Sequence, residues 1–167
     1  MFSKWRSRNF SKQAVEIKAP VSGKAVPLAD VPDEAFAAGH MGLGAAIEPN
    51  EGRLIAPFNG TVAHVIKSNH AVMLEQEGTG LQFLFHIGIN TVALKGEGFT
   101  SHISAGQKVK QGQLLIEFDL DRIKEAGYPV ITPVILTNAA ELAESVHPVT
   151  GKVTAGQDIL LTAVLQK

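Results

Sequence analysis

Two histidines, His70 and His86, each lie inside a run of apolar residues, with the polar, glycine-bearing break Gln76-Glu77-Gly78-Thr79-Gly80 between them. A neutral imidazole keeps a lone pair on one ring nitrogen near pH 7, so it can act as a nucleophile, a proton carrier or a metal ligand. Two such rings on one patch could divide that work. The question for the rest of the chain is whether it brings them together.

Short apolar runs on either side of a Gly-containing break read as a β-hairpin. A turn centred on Gly78 opposes residues whose numbers sum to 156, so His70 faces His86, Val72 faces Leu84 and Leu74 faces Gln82. Opposed residues of an antiparallel pair share a face, and a slip of one residue would separate the rings. Period-2 alternation separates Phe83, Phe85, Ile87 and Ile89 from Gln82, Leu84, His86, Gly88 and Asn90. The first set wants the core, which points the histidine set outward. Gly88 is expected to leave open space beside the ring, as a site approached by another molecule needs.

A lone histidine in an apolar strand is most often a hydrogen-bonded structural residue. The facing partner is what raises a functional reading beside that one. His40, His64, His102 and His147 stand near turns or mixed strands with no placed partner, and read as exposed or structural. A Walker phosphate loop is absent, and Gly42-Leu-Gly-Ala-Ala has no βαβ unit around it. The histidine spacings of many β-rich zinc hydrolases are missing too. No Met precedes a Lys, so the attachment hairpin of a biotin or lipoyl carrier is absent despite the texture of residues 106–112.

The elements that would hold the pair are short strands. From Val15 onward the chain is punctuated by glycine and proline, 16 and 8 in all, which argues for an all-β sandwich or barrel. Pro20-Val-Ser-Gly, Pro57-Phe-Asn-Gly and Pro148-Val-Thr-Gly each enter a strand, and Ala105-Gly-Gln matches Ala155-Gly-Gln. Repeated turn-strand units predict a duplicated, pseudo-symmetric architecture. Helices are expected only as fragments: one turn at 32–36, one over Asp121–Ala126 ended by Gly127, and one over Asn138–Glu144 with an Asn cap. We expect a flexible basic tail over 1–14 and a single domain over 15–167.

The tail carries Lys4, Arg6, Arg8 and Lys12 interleaved with Phe2, Trp5 and Phe10. It reads either as a disordered end or as a segment that meets anionic lipid. The net charge of −1 gives no reason to expect nucleic acid as a partner. The absence of cysteine excludes disulfides and thiolate metal sites. No apolar run approaches the ~20 residues of a membrane span. A soluble protein of the cytoplasm is expected, at most peripheral at the inner face of the membrane.

The run Gly80-Leu-Gln-Phe-Leu-Phe-His86-Ile-Gly-Ile-Asn-Thr91-Val closely resembles the active-site signature of the glucose-type enzyme IIA family. These are phosphocarriers of the bacterial phosphoenolpyruvate–sugar phosphotransferase system. Leu94-Lys-Gly-Glu-Gly-Phe99, Ser68-Asn69-His70, Ala19-Pro20-Val-Ser-Gly23, Val31-Pro32-Asp33 and Gly106-Gln-x-Val resemble it as well, in the right order over about residues 15–167.

The resemblance implies a flattened antiparallel β-sandwich of duplicated, hybrid-motif units. It makes His86 the residue that carries phosphate on Nε2, and His70 its neighbour. Ser68 stands where the family usually has a Thr that hydrogen-bonds the second imidazole. The implied donor is the histidine-containing phosphocarrier protein, and the acceptor a cysteine on the IIB domain of a sugar permease. An apolar docking ring is expected from Phe36, Ile66, Leu84 and Val92, with Asp33 as a flanking acid. Asn90 departs from the pattern, standing where many members have Asp. No cofactor is obligatory. The alternative is a regulatory module whose phosphorylation state is read by partner enzymes or transporters. In a metal-binding variant of that reading, His70 and His86 supply two ligands to a Zn2+ completed by the partner.

Overall fold

The computed structural model describes residues 13–166, so the basic residues from Lys4 to Lys12 lie outside the described part. In chain order the elements begin with β1 (Ala14–Lys18), β2 (Gly23–Pro27), α1 (Glu34–Ala37), β3 (Leu43–Pro49), β4 (Arg53–Ile55) and β5 (Gly60–Val65). Next come β6 (Ala71–Gln76), β7 (Gln82–His86), a 3-10 turn over Thr91–Leu94, β8 (Phe99–Ser101), β9 (Lys108–Val109) and β10 (Leu114–Phe118). The chain finishes with α2 (Leu120–Glu125), β11 (Thr132–Leu136), α3 (Ala139–Leu142), β12 (Ala143–Pro148), β13 (Gly151–Val153) and β14 (Ile159–Leu165). The strands form an eight-stranded sheet, β13-β2-β3-β11-β7-β6-β5-β9, and two three-stranded sheets, β1-β14-β12 and β4-β10-β8. Each ladder is antiparallel, as an all-β sandwich of short, Gly- and Pro-bounded strands requires.

The sequence repeats recur as structure. Gly23, Gly60 and Gly151, the glycines of the three Pro-apolar-x-Gly turns, open β2, β5 and β13. In the two Ala-Gly-Gln turns the glycine N–H donates across to another segment, Gly106 to Val62 O (2.7 Å) and Gly156 to Ala19 O (2.9 Å). The glutamine N–H then closes each turn three residues back, on Ser104 O and Thr154 O.

Alternation along the eight-stranded sheet divides its residues between two apolar clusters. Val72, Leu74, Phe83, Phe85, Val134 and Leu136 join the main core. Ala71, Leu84 and Ile135 face the other way and pack with Phe36, Val31, Ile89 and Ile131 in a smaller cluster beneath α1. Phe83 and Phe85 are fully buried and stack with ring centroids 6.3 Å apart. Each such ring stabilises the sheet by roughly 1.5–3 kcal/mol relative to exposure.

Two expectations need correction. The β6–β7 register pairs Ala71 with His86, Val72 with Phe85 and Leu74 with Phe83, one residue away from the register expected around Gly78. The turn spans four residues, 77–80, with Gly80 N–H on Gln76 O and Gln76 N–H on Leu81 O, so its centre falls between Gly78 and Thr79. Helix α3 stops at Leu142, because Ala143 already opens β12. Asn138 stands at its N-cap position, but its side chain makes no capping bond. Its amide bridges the hairpin turn instead, with Oδ1 accepting from Gln82 N–H (3.0 Å) and Nδ2 donating to Gly80 O (3.1 Å).

Candidate active site: the His70–His86 pair

His86 is the last residue of β7, held in the ladder opposite Ala71. Its Nδ1 lies 2.7 Å from the Gly88 carbonyl. A carbonyl only accepts, so Nδ1 carries the proton and donates it, leaving Nε2 bare in the neutral ring. Gly88 has φ +73°, and a Cβ there would stand 2.6 Å from Thr91 Cγ2 and 2.9 Å from Pro129 O. The glycine is thus required by close packing and a left-handed backbone, not by space left for a visitor, which corrects the sequence reading.

His70 sits just beyond the end of the ladder, preceded by Asn69 at φ +61°. Strict alternation would send it to the core face with Val72. Because the strand starts only at Ala71, the side chain is released from that alternation and its ring meets His86 edge-on, centroids 4.9 Å apart at 80°. The main chain is still anchored there, since Ile87 N–H donates to His70 O at 2.7 Å. His70 Nδ1 lies 2.6 Å from Ser68 Oγ, and its ring is edge-on to Phe99 at 6.4 Å. The sequence therefore paired the right residues through a register that is one residue off.

Burial governs the protonation of both rings. His70 is only 5% exposed, and desolvation, followed by repulsion from His86, pushes its pKa down from 6.5 to about 4. Desolvation also lowers His86, opposed by the hydrogen bond to Gly88 and the negative charge of Asp33. Both effects disfavour the imidazolium form, so near pH 7 the site presents two neutral imidazoles. That state suits nucleophilic attack by a bare Nε2.

A family model for the phosphoenolpyruvate-dependent sugar phosphotransferase system, EIIA 1, matches residues 15–142. The chain belongs to this family. The glucose-specific EIIA component of Halalkalibacterium halodurans is 41% identical over 156 residues, covering 93% of this chain and 90% of that protein. The mannose-specific EIIBCA component of Corynebacterium glutamicum is 48% identical over 132 residues, 79% of this chain, which spans only 19% of that much longer relative. Among solved structures, the glucose permease IIA of Mycoplasma capricolum superposes with a TM-score of 0.80 at 30% identity. That likeness covers 90% of this chain and 96% of the other.

The surroundings of the pair in this enzyme IIA chain divide into floor and rim. Phe36, buried in α1, lies 5.1 Å from the His86 ring at 56°, and Leu84 is 9% exposed in the cluster below. Ile66 is half-buried against the same cluster, whereas Val92 is 58% exposed. Asp33 caps α1 by accepting from Ala35 N–H at 2.9 Å. Asn90 is exposed, with φ +63° at the start of the 3-10 turn. The expected apolar ring thus contains two floor residues, Phe36 and Leu84, and one that stands free, Val92. Among the described residues no three His, Asp or Glu side chains cluster as a metal ion would need. With both Nδ1 atoms engaged, the donor set offers a metal two ring nitrogens.

Three contributors escaped the sequence reading: Phe99 behind His70, the Gly88 carbonyl on His86 Nδ1, and the buried hydroxyl of Thr91. Thr91 stood in the signature without a role. The signal was there, as a small polar residue between Ile87-Gly-Ile89 and the apolar run Val92-Ala-Leu94.

Proposed function

We propose that this enzyme IIA chain is a phosphocarrier in which His86 Nε2 accepts a phosphoryl group from the histidine-containing phosphocarrier protein. It then delivers the group to a cysteine on the IIB domain of a sugar permease. The observation that carries this reading is the Nδ1–H bond from His86 to Gly88 O, which leaves Nε2 as the nucleophile. In the transfer the Nε2 lone pair forms a new N–P bond as the donor's N–P bond breaks. The bond pair returns to the donor ring, which becomes a neutral imidazole. His86 keeps its Nδ1 proton throughout, so the positive charge passes from one ring to the other with no net proton transfer.

His70 acts as hydrogen-bond donor to the phosphoryl oxygens. When the Ser68 hydroxyl donates to Nδ1, the His70 proton resides on Nε2, where it can stabilise the oxygens as charge shifts. Positioning supplies most of such a rate, so no metal is needed. The relatives named EIIBCA components carry IIA in the same chain as IIB and IIC, which supports a IIB domain as acceptor. Asp33 and the exposed Val92 form the rim on which partners dock. A single domain over 15–167 would work in the cytoplasm, with the basic tail 1–14 meeting the inner face of the membrane. No helix of the described residues is long and apolar enough to cross a bilayer.

Phosphate transfer from radiolabelled phosphoenolpyruvate, through the two general phosphotransferase proteins, tests the reading. Acid-labile, alkali-stable label is expected on wild type and absent from His86→Gln. His70→Gln should still take label and pass it on poorly. An unlabelled, folded wild type would overturn the carrier role and leave the regulatory module. A second reading uses the same two rings as half of a Zn2+ site completed by a partner protein. It predicts weak zinc binding by the chain alone, lost in His70→Ala, and a calorimetric titration without heat would dismiss it.

A further inference from the structure

We propose that Thr91 is a positioning residue that sets the tautomer of His86, an inference that rests on the carrier reading above. The Gly88 carbonyl must stay aimed at His86 Nδ1, yet it belongs to the most freely rotating residue type. A glycine holds one direction only when the peptide planes on both sides of it are pinned. The plane after Gly88 contains its carbonyl and the N–H of Ile89, and that N–H donates to Pro129 O at 3.1 Å. The plane before it contains the Ile87 carbonyl, and this oxygen accepts from Thr91 Oγ1 at 2.6 Å. The Ile87 N–H, one plane earlier, is held by His70 O at 2.7 Å.

Thr91 is therefore the side chain that locks the Gly88 turn, and it is fully buried while doing so. Its two branches have separate tasks. The hydroxyl pins the Ile87 carbonyl. The Cγ2 methyl fills the space beside Gly88, so close that a Cβ on residue 88 would lie 2.6 Å from it. With the hydroxyl gone, the turn relaxes and the Gly88 carbonyl loses its aim. His86 then populates the tautomer protonated on Nε2, which has no lone pair at the attacking atom.

The two tasks are separated by Thr91→Val, which keeps the methyl, and Thr91→Ser, which keeps the hydroxyl. Ring-nitrogen chemical shifts of His86, read by NMR near neutral pH, report which nitrogen is protonated. Wild type and Thr91→Ser should show bare Nε2, and Thr91→Val should show the Nε2–H form appearing. Single-turnover phosphorylation of Thr91→Val should slow about tenfold, the worth of one well-placed hydrogen bond, with the KM for the phosphorylated donor unchanged. Should Thr91→Val not fold, Thr91→Ala is read in the same way. A variant without the hydroxyl that keeps bare Nε2 overturns the proposal, whether its rate falls or not. Because the tautomer is measured without phosphate, a wild type that takes no label would defeat the carrier reading and leave the clamp to be judged separately.

Discussion

The ring of Phe36 rests 5.1 Å from that of His86, tilted by 56°, and is itself 95% removed from water, at 5% exposure. One short helix thus backs the proposed nucleophile with hydrocarbon. Phe36→Ala should cost about 3–5 kcal/mol in denaturant unfolding, as a cavity opens in the smaller cluster. It should also move the His86 pKa upward toward 6.5 in an NMR titration, because desolvation is the larger influence holding it down.

The depressed histidines make stability depend on pH with a definite sign. His70 has a folded pKa of about 4 against an unfolded 6.5, so below pH 6.5 the unfolded chain binds a proton that the folded one refuses. Stability is full above that window and falls as pH drops through it, by on the order of 3 kcal/mol for this ring. Denaturant midpoints measured from pH 7 down to pH 4 should show the slope, and His70→Gln should reduce it to the share that His86 contributes.

Gly88→Ala places a Cβ 2.6 Å from Thr91 Cγ2 and 2.9 Å from Pro129 O at φ +73°. Thermal melting should reveal a loss of at least about 2 kcal/mol from strain and overpacking. Phosphorylation should fall more than stability, since the carbonyl that holds His86 Nδ1 moves with the backbone. A variant with wild-type labelling would mean that this carbonyl does not matter.

Asn90→Asp introduces a negative charge at the rim without disturbing the backbone, because Asp tolerates the left-handed conformation at φ +63°. Toward a donor whose docking face carries positive charge, the association rate should rise a few-fold at low salt. The gain should shrink as ionic strength passes ~0.15 M, where the Debye length is about 8 Å. Stopped-flow transfer at two salt concentrations checks both statements.

Asn138→Ala removes the two side-chain bonds from residue 138 to the hairpin turn, at Gly80 O and Gln82 N–H. Unfolding should become easier by about 1–3 kcal/mol through the two unpaired backbone groups. Single-turnover labelling of His86, at the opposite end of β7, should stay as in wild type at a temperature where the variant is folded.

The chemistry was more legible than the geometry. Alternation assigned Phe83, Phe85, Ile87 and Ile89 to the core face and Leu84 to the other side. The first three lie in the main core, but Ile89 packs in the smaller cluster, because β7 ends at His86 and the half-turn per residue holds only within a strand. The glycines at 23, 60 and 151 marked strand starts, since each turn motif ends on its glycine. Register was harder. Deciding between sums of 156 and 157 depends on whether the loop holds three residues or four, and Gly78 and Gly80 both adopt positive φ. Asn138 was read as a helix cap because local spacing shows only local partners, whereas its bonds reach 56 and 58 residues back. The role of Gly88 was misread for the same reason: the atoms that crowd it come from Thr91 and Pro129, and the distance between those is set by tertiary packing.

The strand order also dictates a schedule for synthesis. In the three-stranded sheet β14 lies between β1 and β12, pairing Val15 with Ala163 and Val146 with Ala163 across its two edges. On a ribosome, β1 emerges well before residues 159–165 and has no partner in that sheet until they follow. The hairpin carrying both histidines is complete well before then. The apolar side chains of Val15 and Ile17 must stay without their strand partner while everything between β1 and β14 is synthesised, which makes the nascent chain, rather than the finished protein, the form most in need of protection from aggregation.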